Sequence, residues 1–273
     1  MLAGKERVGV SAVLEVSKNS VLFLSKKELG LPSLRVAQMS AFGIKAGVVP
    51  ALKLTYFPIQ GVAEKVRLAL TLGNVPFEDV RVPFDATWTA MKPTTPYGQL
   101  PMLSIDGAEP MAQSDAMLRY AGALATQQGV PLYAPEDMLA IEEAMGLVGD
   151  FNRAYNPIIA VAMTPADFGH IHPSEWKGGE AHKAIIKECR ETFVRDTLPK
   201  FMGFFAARFA HKAFLCGDSP TIADCFLVPI LNRLTSGGID FVPTTVLEAF
   251  PAVTAYVSRF MALPAVAAWY APK

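Results

Sequence analysis

The sequence predicts an α/β + all-α protein, in which a domain of order βαβ-ββα is followed by a domain built only of helices. Three observations carry that prediction. Between Leu52 and Gln128, short strand-like runs alternate with stretches of helical period. Beyond Pro135 every periodic stretch is helical. The chain has 273 residues, 51% of them hydrophobic, which suffices for two cores at roughly 150 residues each. It divides into an N-terminal extension over 1–50, an α/β domain over 51–129 and a helical domain over 135–273.

"LKLTYF", residues 52–57, is rich in the aliphatic, β-branched and aromatic residues that suit a strand. In "GVAEKVRLALTLGN", Val62, Val66, Ala69 and Leu70 recur at helical spacing, and Gly73-Asn74 supplies the stop. "FEDVRVP" alternates as a second strand ending at Pro83. "PMLSI" and "EPMAQ" flank Asp106-Gly107, a dipeptide that tolerates positive φ at both positions, so two antiparallel strands joined by a tight hairpin are expected. Ser114 is expected to cap the helix "DAMLRYAGALATQQ", which breaks at Gly129-Val130-Pro131. Four apolar-striped tracts follow: "EDMLAIEEAMGLVGDFNRAY", "EAHKAIIKECRETFVRDTLPKFMGFFAARFA", "TIADCFLVPILNRL" and "PAVTAYVSRFMAL". Thr221 with Asp224 three residues later is a capping-box variant that would nucleate the third of these.

Lys and Arg number 25 against 25 Asp and Glu, so no global field draws nucleic acid or an anionic membrane. Small molecules or other proteins are the expected partners. No apolar run approaches the ~20 residues that cross a bilayer. Cys189, Cys216 and Cys225 are an odd set without C-x-x-C spacing, which fits a reducing compartment and three separate thiols. Residues 1–50 differ in character: Lys5, Arg7, Lys18, Lys26, Lys27, Arg35 and Lys45 outnumber Glu6, Glu15 and Glu28, and no acid lies between Glu28 and Glu64. Such a stretch reads either as an organelle leader, to plastid or mitochondrion, or as an extension ahead of a start at Met39. A cytoplasmic location is the first expectation and an organelle the alternative.

Some residues bear chemistry whatever the family. Pro101 enters a strand expected to be central, where a missing N–H is poorly tolerated, so Leu100-Pro101 is either an ordinary trans proline at a strand start or a cis turn that opens the Leu100 backbone to a ligand. Tyr56 ends the first strand, where its hydroxyl is either the wet tip of a core ring or a group aimed into a pocket. Trp88 and Lys92, four apart, present an indole N–H and an ammonium that suit an anion. Ser114 stands where strand yields to helix, and free amides and the helix dipole favour an anion there. His170, His172 and His182 in "GHIHPSEWKGGEAH" invite a metal, yet no nearby cysteine or helical histidine pair completes a ligand set, so no metal is expected.

Together these segments resemble the cytosolic glutathione S-transferases, in particular the sigma class and its alpha, mu and pi relatives. The resemblance rests on "KLTYF" (53–57), G-x-A-E-x-x-R (61–67), W-x-x-x-K (88–92), "PYGQLP" (96–101), "QS" (113–114), "SPTIAD" (219–224) and "ALPAVAAW" (262–269), in order and suitably spaced. It implies a thioredoxin-like glutathione-binding domain followed by the helical domain of that family, with glutathione as co-substrate. Tyr56 would be catalytic, its hydroxyl holding the glutathione sulfur as thiolate; lowering a thiol pKa from about 8.5 to about 6.5 corresponds to roughly 2.7 kcal/mol. Trp88 and Lys92 would reach the glycine carboxylate, and Gln113 and Ser114 the γ-glutamyl carboxylate. Leu100, ahead of Pro101 and beside Gln99, would pair its backbone with the cysteinyl part. Asp150 would approach the γ-glutamyl amine bound by a neighbouring subunit, and Tyr97 would be an aromatic key in a homodimer. The electrophile would lie near Phe57, Val62 and the first long helix.

The resemblance has two departures. Sigma enzymes carry an arginine near the active hydroxyl where this chain has Val62, and some bind a divalent ion through aspartates where this chain has Gly146 and Gly149. The expected activity is conjugation of glutathione to hydrophobic electrophiles, a detoxification reaction. A glutathione-dependent isomerase or peroxidase on the same site is the alternative, as is a non-catalytic scaffold of crystallin type, against which Tyr56, Trp88, Lys92, Gln113 and Ser114 together argue.

Overall fold

Strand β1 (Leu52–Tyr56) is the centre of a three-stranded sheet in the computed structural model, which describes residue 44 and residues 47–163 and 179–272. Leu52, Leu54 and Tyr56, two apart, all turn into the core, while Lys53 points outward and meets Glu78 at 3.5 Å. β2 (Glu78–Arg81) runs parallel to β1 with Leu54 opposite Asp79, and β3 (Met102–Ile105) runs antiparallel with Leu54 opposite Leu103. The parallel pair needs a crossover, and α1 (Glu64–Leu72) is that crossover.

Helix α1 is buried from Glu64 to Leu70 because it is packed from several sides, by α3 (Ser114–Gln127), α7 (Ile222–Thr235) and α9 (Pro264–Tyr270). It starts later than its sequence period suggests. Gly61–Ala63 form a separate 3₁₀ turn, which leaves Val62 43% exposed rather than on the core stripe. The helix stops where expected, with Asn74 in the left-handed region at φ 50°.

The Asp106-Gly107 turn has both residues at positive φ, 52° and 74°, as its sequence demands. The strand expected after it shrinks to one antiparallel pairing, Leu103 with Met111: on one side the Ile105 carbonyl is taken by the Ala108 amide of the turn at 3.0 Å, and on the other Pro101 has no N–H to extend the ladder. The expected cap at Ser114 is also corrected. Ser114 is already the first helical residue of α3, the capping position falls to Gln113 at φ 77°, and no side chain caps this helix.

From the 3₁₀ turn Pro135–Asp137 onward, the elements among the described residues are helices: α4 (Met138–Met163), α5 (Glu180–Thr192), α6 (Leu198–Phe209), α7, α8 (Pro251–Met261) and α9. The single tract read over 180–210 is two helices separated by a π turn, Phe193–Thr197. Pro199 offers no N–H to the carbonyl of Arg195, so the helix widens there. Phe151, buried in α4, meets Phe201 at 5.3 Å and Phe205 edge-on at 5.6 Å, which centres the helical core. The capping box forms as its spacing predicts. Asp224, shut off from solvent, accepts from the Thr221 amide (2.7 Å), the Thr221 hydroxyl (3.0 Å), the Leu215 amide (2.9 Å) and the Tyr256 hydroxyl (2.9 Å).

His182 lies in the helical tract and in no metal-ligating group among the described residues. It is buried on α5 with Nε2 3.1 Å from the Val161 carbonyl, while His170, His172 and nearly all of the N-terminal extension fall outside the described residues. Among the described residues no single helix is long and apolar enough to cross a membrane, and the three cysteines are free thiols.

Two outcomes follow from this packing. Thr221→Ala should cost about 1 kcal/mol, while Asp224→Ala, which leaves four donors facing a cavity, should cost about 3 kcal/mol or more; urea unfolding measures both. Burial pushes Tyr155 up to about 12 and Tyr256 well above the ordinary tyrosine value. The unfolded chain releases these protons near pH ~10 while the folded protein keeps them, so stability is intact below that pH and falls as pH rises from about 10 through 12, read from urea midpoints across that range.

Candidate active site

Tyr56 closes β1 with its ring in the core and its hydroxyl against the 3₁₀ turn, where the Val62 amide donates to it at 3.4 Å. Gly61 makes that approach possible. Its φ is +47°, and a Cβ there would lie 2.5 Å from the Tyr56 hydroxyl oxygen and 2.8 Å from Cε1. Burial pushes the Tyr56 hydroxyl above its ordinary pKa, opposed by the Val62 amide and the charge of Arg67. The hydroxyl is therefore protonated at neutral pH and has a hydrogen to donate.

Beside this turn an open cleft is lined by Val62, Gln99, Leu100, Pro101, Gln113 and Ser114. All six were singled out from sequence, yet they come from three separate places along the chain, and only the fold gathers them. Leu100-Pro101 is cis, which settles the alternative left open by sequence and brings Leu100 to the cleft ahead of β3. Gln113 and Ser114 arrive at the uncapped N-terminus of α3, whose first amides lack a partner one turn back. The cleft thus offers N–H donors and a partial positive charge at one end, suited to a carboxylate.

An aromatic wall adjoins the hydroxyl. Phe57 is tilted against Tyr56 at 5.3 Å, stacks on Phe84 at 4.2 Å and receives the edge of Trp88 at 5.3 Å. Trp88 lies on α2 (Ala86–Met91), begun by Asp85, whose carboxylate accepts from the Thr87 amide at 2.8 Å. Lys92 follows at the exposed end of α2, its stem beside Gly98. Trp88 and Lys92 stand outside the immediate lining of the cleft. Asp150 is not brought to it either: it is exposed on α4 and paired with Arg153. Tyr97, at φ 58°, is 79% exposed.

Two features escaped the sequence reading. Phe84, 59% exposed and stacked on Phe57, sits in a loop whose course no periodicity reports. Arg67 is wholly buried beneath Tyr56, its Cζ 5.6 Å from the ring centroid. It donates through Nε to Asp79 (3.0 Å) and through Nη1 to Glu64 (3.1 Å) and the Ile59 and Gln60 carbonyls (2.8 and 3.2 Å), while Nη2 is buried without a hydrogen-bond partner. The i,i+3 spacing of Glu64 and Arg67 was the available signal. The Asp79 contact comes from another strand and had none.

Comparison with known proteins finds matches over both halves of the chain. Residues 54–129 match the model of the glutathione S-transferase N-terminal domain, and residues 174–273 that of the C-terminal domain. Glutathione S-transferase 4 of Caenorhabditis elegans is 30% identical over 203 residues, 74% of this chain and 89% of the relative. The glutathione S-transferase of Ascaris lumbricoides superposes with a TM-score of 0.62 at 30% identity, covering 82% of this chain and 98% of that one. Prostaglandin synthase D of Nilaparvata lugens superposes with a TM-score of 0.63 at 26% identity, covering 82% of this chain and 100% of that one.

The space at Gly61 yields a sharp expectation. Gly61→Ala adds a methyl where the Tyr56 hydroxyl now lies, on a backbone conformation unfavourable to alanine, so a crystal structure of the variant should show the Tyr56 ring displaced. Urea unfolding should show a loss of about 1 to 2 kcal/mol.

Proposed function

The chain belongs to the glutathione S-transferase family, and we propose that Tyr56 is the residue through which it activates glutathione for addition to hydrophobic electrophiles. The observation that carries this reading is the protonated, half-enclosed hydroxyl of Tyr56 beside a cleft that offers N–H donors at its far end. Those donors suit the γ-glutamyl carboxylate, received by Gln113, Ser114 and the first amides of α3. Leu100, with Gln99 and Pro101 on either side, lends its backbone to the cysteinyl residue in the manner of an added strand. Trp88 and Lys92 receive the glycine carboxylate just beyond the cleft.

Held in this way, the sulfur reaches the Tyr56 hydroxyl. A hydrogen bond from that hydroxyl favours the charged form of sulfur, so the thiol proton leaves to solvent at lower pH and the thiolate attacks the electrophilic carbon. The leaving group then departs, or an activated double bond takes up a proton. Because burial raises the tyrosine pKa, Tyr56 acts as a donor and not as a base. The electrophile lies against Phe57, Val62 and the exposed ring of Phe84, an apolar surface beside the sulfur. A homodimer suits two further residues: Tyr97 is too exposed for a monomer's interest in an aromatic ring, and Asp150 would meet the γ-glutamyl amine in the neighbouring subunit's site. The likeness to a protein named a prostaglandin synthase supports an isomerase as the second reading, in which the same thiolate opens an oxygenated substrate and is released unchanged.

Tyr56→Phe should leave binding to immobilised glutathione intact, lower kcat/KM toward an aromatic halide by about 100-fold and move the alkaline rise of the pH profile up by about one to two units. An unchanged profile would remove Tyr56 from the mechanism. Tyr97→Asp should shift the protein from dimer to monomer in sedimentation, since it places a charge at the centre of the proposed contact.

A further inference from the structure

The family resemblance leads to an arginine at position 62, and the structure has Val62 there, with only its backbone amide on the Tyr56 hydroxyl. The tyrosine nevertheless meets a cation. We infer that Arg67 is a positioning residue for sulfur activation, its guanidinium under the Tyr56 ring strengthening the hydroxyl as a hydrogen-bond donor in place of a cation at position 62; the inference rests on the reading of Tyr56 given above.

Several observations converge on Arg67. Its side chain is shut off from water, so its field is poorly screened. Its Cζ lies 5.6 Å from the ring centroid, within the range of a cation–π contact, and a cation at the ring favours the electron-rich phenolate, which makes the neutral phenol more acidic and a stronger donor. Its Nη2 is buried without a hydrogen-bond partner, so one corner of the guanidinium is not neutralised by an acceptor. The charge of Arg67 also opposes the burial that raises the Tyr56 pKa.

The surrounding charges set how much of that field reaches the ring. Glu64 on α1 and Asp79 on β2 both face Arg67, and Arg81 pairs with the other oxygen of Asp79. From α9, Trp269 donates to Glu64 at 2.9 Å and Tyr270 lies in its field. Two carboxylates thus hold the cation in place and offset it. Removing the charge of one while keeping its shape should expose the ring to more of the positive field. A merely structural arginine predicts no such gain.

The decisive measurement is the pKa of enzyme-bound glutathione, followed by thiolate ultraviolet absorption across pH, with melting temperature as a control for folding. Asp79→Asn keeps an oxygen for the Arg67 Nε and should lower that pKa by about half a unit, even as it lowers the melting temperature. Arg67→Met should raise it by a similar amount, and adding Val62→Arg to that variant should bring it back down. An Asp79→Asn value that is unchanged or raised overturns the assignment, whether or not Arg67→Met folds. Tyr56→Phe separates the two claims. If it leaves the bound pKa unmoved, the reading of Tyr56 fails. If it raises the pKa while Asp79→Asn has no effect, only the role of Arg67 fails.

Discussion

A guanidinium with no access to water has to find its acceptors inside the protein, and Arg67 finds them on three different segments. Glu64 comes from its own helix, Asp79 from the neighbouring strand, and the Ile59 and Gln60 carbonyls from the turn that follows β1. Without both carboxylates the buried charge would be stranded at a cost of about 3 to 5 kcal/mol, so the cluster sets helix, strand and turn in register with one another. Trp269 extends the same cluster to the C-terminal helix through Glu64. The last helix of the helical half is thereby tied to the helix that lies behind Tyr56.

What the cluster supports is a turn with very little room. Tyr56 can place its hydroxyl against the Val62 amide only because Gly61 has no side chain, and the turn carrying Gly61 is held from below by Arg67 through Gln60 and Ile59. The opposite side of the cleft is built by different means. A cis Leu100-Pro101 bond and the left-handed Gln113 bring two backbone segments to the same place, and α3 begins there without a cap. An uncapped helix end is costly in isolation and useful beside a carboxylate ligand.

The two halves of the described chain are joined by polar contacts that sit in an otherwise apolar seam. Arg119 of α3 grips Glu142 of α4 through two bonds of 2.7 and 2.6 Å, and the Tyr133 hydroxyl donates to the same carboxylate at 2.8 Å. Lys65 of α1 pairs with Asp115 of α3 while its ammonium lies 3.9 Å from the centre of the Phe226 ring on α7. Directional bonds of this kind select one docking of α1 against α3 and α7, where apolar packing alone would accept several.

Sequence alone determined those features whose cause is local. The period of α1 from Val66 onward, the positive-φ turn at Asp106-Gly107 and the capping box at Thr221 and Asp224 each follow from residues within a few positions of one another, and each formed. The candidate lining residues were legible for another reason, since their motifs were spelled out in order along the chain. Local rules failed where a distant partner or a missing N–H intervened: Pro101 and the Ala108 turn amide cut short the strand after the hairpin, Pro199 split a helix in two, and Ser114 fell one residue inside the helix it was expected to cap. Only the tertiary structure decided that Val62 leaves the core stripe of α1, that Phe84 stacks on Phe57 and that Arg67 lies beneath Tyr56 between Glu64 and Asp79. The physical reason is common to all three. Burial and electrostatic environment depend on which segments meet in space, and no short stretch of sequence contains its own neighbours.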